Sequence, residues 1–411
     1  MAAGEIERAL AQVDAEHERA VAFLAELVRT PSDNPPGDCA PHAEHAKALL
    51  EELGFEVETD PVPQELVRAN GMVAATNLIV RHRFGDGPTL ALNAHGDVVP
   101  PGLGWTADPY RADIRDGWML GRGVAVSKSD IAAQAFALKA LVEAGVPLAG
   151  TVELHVTCDE EAGGEIGPAR LLAEGLTRPD FAICPGFSYA VVTAHNGCLH
   201  LEVEVTGRSA HAAQPESGRD AIAAAIAIIR RIYAYADGLA DRRSAYQGID
   251  NPTCVVGLIS GGINTNVVAD RVTFRLDRRI IPEEAPETAE EELRALIADA
   301  AGALDGIKVH VRRILLARPF LPVAGAEHLA QVVAENAARF LGEAVPLTAV
   351  PLYADARHYA AAGIPTIMYG AGPRTLAEAN AHRADERLPL ETLRIATKTL
   401  VASAARLLAP R

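Results

Sequence analysis

Ala91-Leu-Asn-Ala-His95-Gly-Asp97-Val98 is the stretch that decides the fold. It closes an apolar run, Pro88 to Asn93, with a histidine and an aspartate two residues apart. Two more short apolar runs, Thr76 to Val80 and Gly150 to Val156, read as buried strands, and the alanine-rich Ile131 to Ala144 reads as a helix between strands. Strands buried on both faces and alternating with helices predict an α/β unit with a mainly parallel sheet flanked by helices. Outward from this centre, Glu5 to Thr30 has helical spacing and stops at the proline-rich Pro31–Gly37. A second helix is expected over His42 to Leu53, stopped by Gly54.

The pattern changes near Asn196. Leu199-His-Leu-Glu-Val-Glu-Val205 alternates strictly, as a strand with one wet face does. A helix over Asp220 to Tyr235, strands over Thr253 to Ile259 and Val267 to Leu276, a helix over Ala285 to Ala301 and a strand over Lys308 to Arg312 follow. They make an α+β unit with an antiparallel sheet. From about Pro319 the first pattern resumes, with helices over Glu327 to Phe340 and Leu390 to Leu408 around a strand at Thr366 to Tyr369. The expected domains are residues 1–195 and 316–411, together one catalytic domain, and an inserted domain at 196–315.

The 411 residues exceed what one core usually organises. Thirty-eight basic against 54 acidic residues give a net charge of −16, which disfavours nucleic acid and anionic membrane as partners. Met1 to Ala20 lacks the apolar stretch of a signal peptide, and no run approaches the roughly 18 apolar residues of a membrane span. Five scattered cysteines without CxxC spacing argue against a disulfide framework and for a cytoplasmic location.

Four segments carry chemistry. His95 can ligate a metal, with Asp97 fixing its tautomer; standing alone, the pair reads equally as part of a solvated loop. Asp159-Glu160-Glu161 follows the strand ending at Val156, and adjacent acids repel unless a cation or proton separates them. One of such a pair binds metal while its neighbour takes a proton from water; the plain alternative is a charge run before a helix. His211, among small residues, can donate a hydrogen bond to a developing oxyanion, or is a surface histidine. His382 lies in a late loop, Ala379-Asn-Ala-His382-Arg-Ala-Asp385-Glu386.

Together these segments, with Thr30–Gly37, Asp116–Gly123, Gly261–Val268, Asp277-Arg-Arg279-Ile-Ile-Pro282 and Asp355-Ala-Arg357, resemble the metallohydrolase family of acetylornithine deacetylase, succinyl-diaminopimelate desuccinylase, aminoacylase and zinc glutamate carboxypeptidase. The resemblance runs nearly end to end. It implies a phosphorylase/hydrolase-like catalytic domain with an inserted dimerisation (lid) domain, and a homodimer. It makes His95, Glu161 and His382 metal ligands, Asp97 the orienter of His95 and Glu160 the general base. His211 would steady the oxyanion across the dimer, and Arg279, Arg357 and Asn266 would hold a substrate carboxylate, although an ordinary salt bridge between Arg279 and Asp277 fits as well.

The family's bridging aspartate, in a segment like G-R-G-x-x-D-x-K-G, is replaced here by Val126, and a Glu-Pro pair is replaced by Cys184-Pro185. Two dications about 3.5–4 Å apart need a shared anion, so one ion per protomer is expected. That ion is zinc, with manganese or cobalt as alternatives, held by His95, Glu161 and His382. Cys184 as a thiolate ligand and Asp130 turning inward are the other two readings. The function expected is hydrolysis of the amide bond of a small carboxylate-bearing N-acyl amino acid or dipeptide. A hydrolytic deaminase or decarbamoylase of an unusual substrate, for example an aromatic one, and a non-catalytic dimeric binding protein are the alternatives.

Overall fold

A computed structural model describes residues 3–410. The chain divides into two compact units: residues 1–193, 322–348 and 354–411 form one, and residues 194–321 and 349–353 the other.

The first unit is built on an eight-stranded sheet in the order Val57–Pro61, Thr76–Arg83, Thr151–Thr157, Thr89–His95, Phe181–Cys184, Thr366–Met368, Val191–His195, Leu347–Val350. The four central strands, from Thr151–Thr157 to Thr366–Met368, are parallel. Antiparallel pairings flank them on both sides. Strand Thr89–His95 is buried from Leu90 to His95, as its unbroken apolar reading requires. Strand Val57–Pro61 carries no apolar run, because it sits half-exposed at the sheet edge.

Helix Lys128–Glu143 is buried from Lys128 to Leu141. Its alanines let neighbouring helices approach closely, and Phe136 meets Phe23 edge-on at 5.7 Å. Lys128 is itself buried, and its Nζ donates to the carbonyls of Leu27 and Thr30, both at 2.9 Å. It thereby adds a donor at the C-terminal end of helix His17–Arg29, where Leu27 O also accepts from the N–H of the C-cap Thr30. Burial lowers its pKa to about 8. The single helix expected over Glu5 to Thr30 is two, Ala3–Ala15 and His17–Arg29, parted at Glu16, whose carboxylate takes Lys139 Nζ at 2.9 Å.

The second unit is a four-stranded antiparallel sheet, ordered Thr253–Gly261, Arg271–Ile280, Gly197–Thr206, Lys308–Ala317, with helices Ala221–Gly238 and Pro286–Gly302. Leu199, Leu201, Val203 and Val205 point into its core with Phe274, Ile228 and Leu293. The alternate residues form the wet face, where Glu202 pairs with Arg275 and Arg312. Asp220 caps helix Ala221–Gly238 by accepting from Ile222 N and Ala223 N. Among the described residues no helix is long and apolar enough to cross a membrane.

Candidate active site

Strand Thr89–His95 delivers His95 to the carboxyl edge of the sheet, beside Thr157 of the parallel neighbour. Gly96 must be glycine: a Cβ there would lie 2.4 Å from Cε1 of the buried His42. His95 Nδ1 lies 3.0 Å from Asp97 O and 3.3 Å from Asp97 Oδ1, so the loop itself orients the ring. Nε2 is thereby directed toward Glu160 Oε2, 4.0 Å away.

The wholly buried Asp97 carboxylate organises more than one ring. It accepts from Asn34 Nδ2 at 3.0 Å, Glu160 N at 3.3 Å and Glu161 N at 3.1 Å. Glu160 and Glu161 begin a single 3-10 turn, Glu160–Ala162, which closes through Gly163 and Gly164 at φ 112° and 70°. A side chain at either glycine would be strained. Arg357 donates to Gly163 O and lies 3.6 Å from Glu165, so its guanidinium holds this turn.

Glu161 Oε1 lies 3.3 Å from His382 Nε2. His382 sits at φ 59°, between Asn380 at 50° and Asp385 at 56°, so the late loop carries three non-glycine residues in left-handed conformations. It is pinned on both sides. Asp385 Oδ1 accepts from Thr106 N at 2.9 Å, and Glu386 pairs with the buried Arg122 at 2.6 Å. Glu386 Oε1 also accepts from Ala125 N at 3.0 Å and Val126 N at 3.4 Å. One carboxylate therefore ties the His382 loop to the segment that bears Val126.

The imidazoles and carboxylates thus meet as two pairs, His95 with Glu160 and His382 with Glu161. Burial lowers the affinity of His95 for a proton, but Asp97, Glu160 and Glu161 outweigh it and lift its pKa well above 6.5. Burial, with the charges of Glu161 and Asp97 against the pull of His95, raises the Glu160 carboxyl. Asp355 is raised well above its ordinary range by burial and by Glu160 and Asp159, and its Oδ2 has no hydrogen-bond partner. Buried acids that repel one another, one with an orphaned oxygen, beside two imidazoles are a donor set that fits a divalent cation.

Val126 is half-buried against the main core and offers no donor atom. Cys184 is fully buried, and burial with the nearby Asp355 charge raises its thiol well above its ordinary value. Asp130 Oδ1 accepts from Ala371 N at 2.7 Å, so it is committed to the backbone after strand Thr366–Met368. In the second unit, His211 is exposed on the two-residue strand Ala210–His211, and Asn266 O accepts from Ala212 N at 3.0 Å beside it. Arg279 Nε lies 2.9 Å from Asp277 Oδ1, with the guanidinium 5.6 Å from the Tyr353 ring.

Asn34, Asp355 and Glu386 were not singled out by the sequence. Each lies inside a quoted segment, but only the folded chain shows what it touches.

A parallel-centred α/β sheet with histidines and acids at its carboxyl edge has the donor set of a metal-dependent hydrolase. Residues 91–406 match Peptidase family M20/M25/M40, and the chain belongs to that family. It is 30% identical over 360 residues to acetylornithine deacetylase of Myxococcus xanthus, covering 86% of this chain and 88% of that one. It is 31% identical over 276 residues to succinyl-diaminopimelate desuccinylase of Gluconacetobacter diazotrophicus, covering 63% and 67%. The fold is shared with a dipeptidase of Saccharomyces cerevisiae at a TM-score of 0.81 and 14% identity, over 97% of this chain and 98% of that one.

Proposed function

We propose that this chain hydrolyses the amide bond of a small N-acyl amino acid or dipeptide bearing a free carboxylate, using one divalent ion, zinc, per protomer. The observation that carries the single-ion reading is Val126, which offers no ligand atom and which the family resemblance puts at the bridging position. Without a shared anion, one ion is favoured over two. Glu161 and His382, 3.3 Å apart, would hold it, with His95 as third ligand once drawn toward them, since the three ligand atoms do not all lie within 4.8 Å of one another; when bound it supplies Lewis-acid polarisation of the scissile carbonyl and of water.

Glu160 takes the proton from the attacking water and returns it to the leaving nitrogen. Burial suits it to that task, since a carboxyl raised toward neutrality both accepts and releases a proton. Asp97 keeps the 160–161 turn and His95 in register. Arg279, steadied at Nε by Asp277, binds the substrate carboxylate; a planar guanidinium matches that group. Arg357 holds the 163–165 turn in place.

A homodimer supplies His211 as oxyanion donor, and Asn266 beside it, from the second copy. Support for the dimer comes from edge strand Thr253–Gly261, where Val255, Leu258 and Ile259 are 50%, 62% and 58% exposed. An exposed apolar edge strand is a template for pairing with another chain.

The test is elemental analysis of protein purified without added metal, together with turnover of a panel of N-acyl amino acids and dipeptides. Relative to Glu161→Ala protein, about one more ion per protomer and turnover of at least one panel member are expected. A difference of about two ions would overturn the single-ion centre, and a metal-loaded protein inert toward the whole panel would overturn the substrate class.

A further inference from the structure

We propose that Cys198, His200 and Asp277 form a second cation site, for a thiophilic divalent ion of the zinc type, on the sheet face turned away from the second unit's core, where Cys198 is fully buried and His200 and Asp277 are half-buried. Cys198 and His200 are two apart on strand Gly197–Thr206, so both side chains leave the same face, while Leu199 and Leu201 enter the core. Asp277 lies directly opposite His200 in the register with strand Arg271–Ile280, and Arg279 lies opposite Cys198. Three donor types are thereby brought together by strand pairing alone.

His200 Nε2 is 3.2 Å from Cys198 Sγ and 2.9 Å from Asp277 Oδ2, and Cys198 Sγ is 3.5 Å from that same oxygen. A nucleophile–histidine–carboxylate relay needs the two partners on different ring nitrogens. Here both address Nε2, so the three atoms converge on one point. With zinc bonds of about 2.3 Å to sulfur and about 2.0 Å to nitrogen and oxygen, a tetrahedral centre separates S from N by about 3.5 Å, N from O by about 3.3 Å and S from O by about 3.5 Å. The spacings found match those edges to within about 0.4 Å. Among the described residues this is the only group of three histidine, cysteine or acidic side chains whose ligand atoms all lie within 4.8 Å of one another.

Asp277 Oδ1 engages Arg279 Nε at 2.9 Å, which orients the carboxylate from behind and leaves Oδ2 for the ion. Binding requires Cys198 to release its thiol proton to solvent and His200 to bind as neutral imidazole, so each ion taken up frees protons. The thiolate selects zinc, cadmium or cobalt over magnesium or calcium.

Cobalt(II) is the probe, because thiolate-to-cobalt charge transfer absorbs in the near ultraviolet and His95, Glu161 and His382 contain no sulfur. Titration of the full-length protein is expected to raise that band, and zinc to abolish it. Cys198→Ser should remove the band while Cys184→Ser keeps it. His200→Asn, at a half-exposed position, should weaken cobalt affinity more than about tenfold with the far-ultraviolet dichroism unchanged. No charge-transfer band, or one lost in Cys184→Ser and kept in Cys198→Ser, would overturn the site.

Discussion

Asp97→Asn tests the centre of the arrangement with almost no change of shape. The wild-type carboxylate presents two acceptor oxygens to Asn34 Nδ2, Glu160 N and Glu161 N, with His95 Nδ1 also within 3.3 Å of Oδ1. An amide in its place has one acceptor and one NH2 group, so at least one of those buried donors must face another donor. A buried donor left unmatched costs about 1–3 kcal/mol, which sets the expected loss of stability in urea unfolding of the metal-free protein. Displacing the 160–161 turn and loosening His95 should lower zinc affinity by about 10–100-fold, or about 1.4–2.7 kcal/mol, measured by competition with a chromophoric chelator. The kcat/KM for an accepted acyl amino acid should fall at least as far. In a double-mutant cycle with Asn34→Ala, the two losses should be sub-additive by about 0.5–3 kcal/mol, since the residues share one hydrogen bond. A folded Asp97→Asn protein with zinc affinity and kcat/KM within twofold of wild type would refute this account of the site.

Three further outcomes follow from the same geometry. Glu160→Gln should lower kcat by about 10²–10⁴-fold and leave zinc content unchanged; a variant with normal kcat would remove Glu160 from the role of base. Val126→Asp should raise zinc content by about one ion per protomer, because it returns the bridging anion, and an unchanged content would show that Val126 does not limit the stoichiometry. Glu153 is opposed by burial yet is pulled from 4.5 to about 2 by His155, Thr177 and Arg81. A depressed carboxyl stabilises the fold above its unfolded pKa and loses that contribution as pH falls from about 4.5 through 2; a shift of this size is worth about 3 kcal/mol. Urea midpoints at pH 5 and pH 3 should therefore differ less in Glu153→Gln than in wild type, and equal differences would count against the linkage.

The buried strands at 76–80, 88–93 and 150–156 were readable because an uninterrupted apolar run has few other places to go. Leu199–Val205 was readable because its alternation fixes one wet face and one dry one. Val57–Pro61 was not, since a half-exposed edge strand needs no apolar pattern. The break at Glu16 left the helical spacing intact on both sides. At the site, the acids after Val156 signalled themselves by their mutual repulsion. His382 had no local signal and entered through the family pattern, and the two-pair arrangement of histidines and glutamates became visible only when distant segments came together. Cys198, His200 and Asp277 show the same limit more sharply: spacing puts the first two on one face, but only the register of a strand far along the chain supplies the third.

Strand Thr366–Met368 lies between Phe181–Cys184, which it joins in parallel, and Val191–His195, which it joins antiparallel. On the ribosome its two neighbours emerge long before it does, and the whole second unit is made in the interval. At 5–20 residues per second the nascent sheet carries that gap for roughly ten to thirty seconds, with the backbone of two short strands open on the sides that will later flank the missing one. Such edges invite the wrong partner. Chaperone demand during synthesis should therefore fall on the interval between the leaving of Val191–His195 and the arrival of Thr366–Met368, and a pause in translation placed there would raise aggregation more than one placed after the slot is filled.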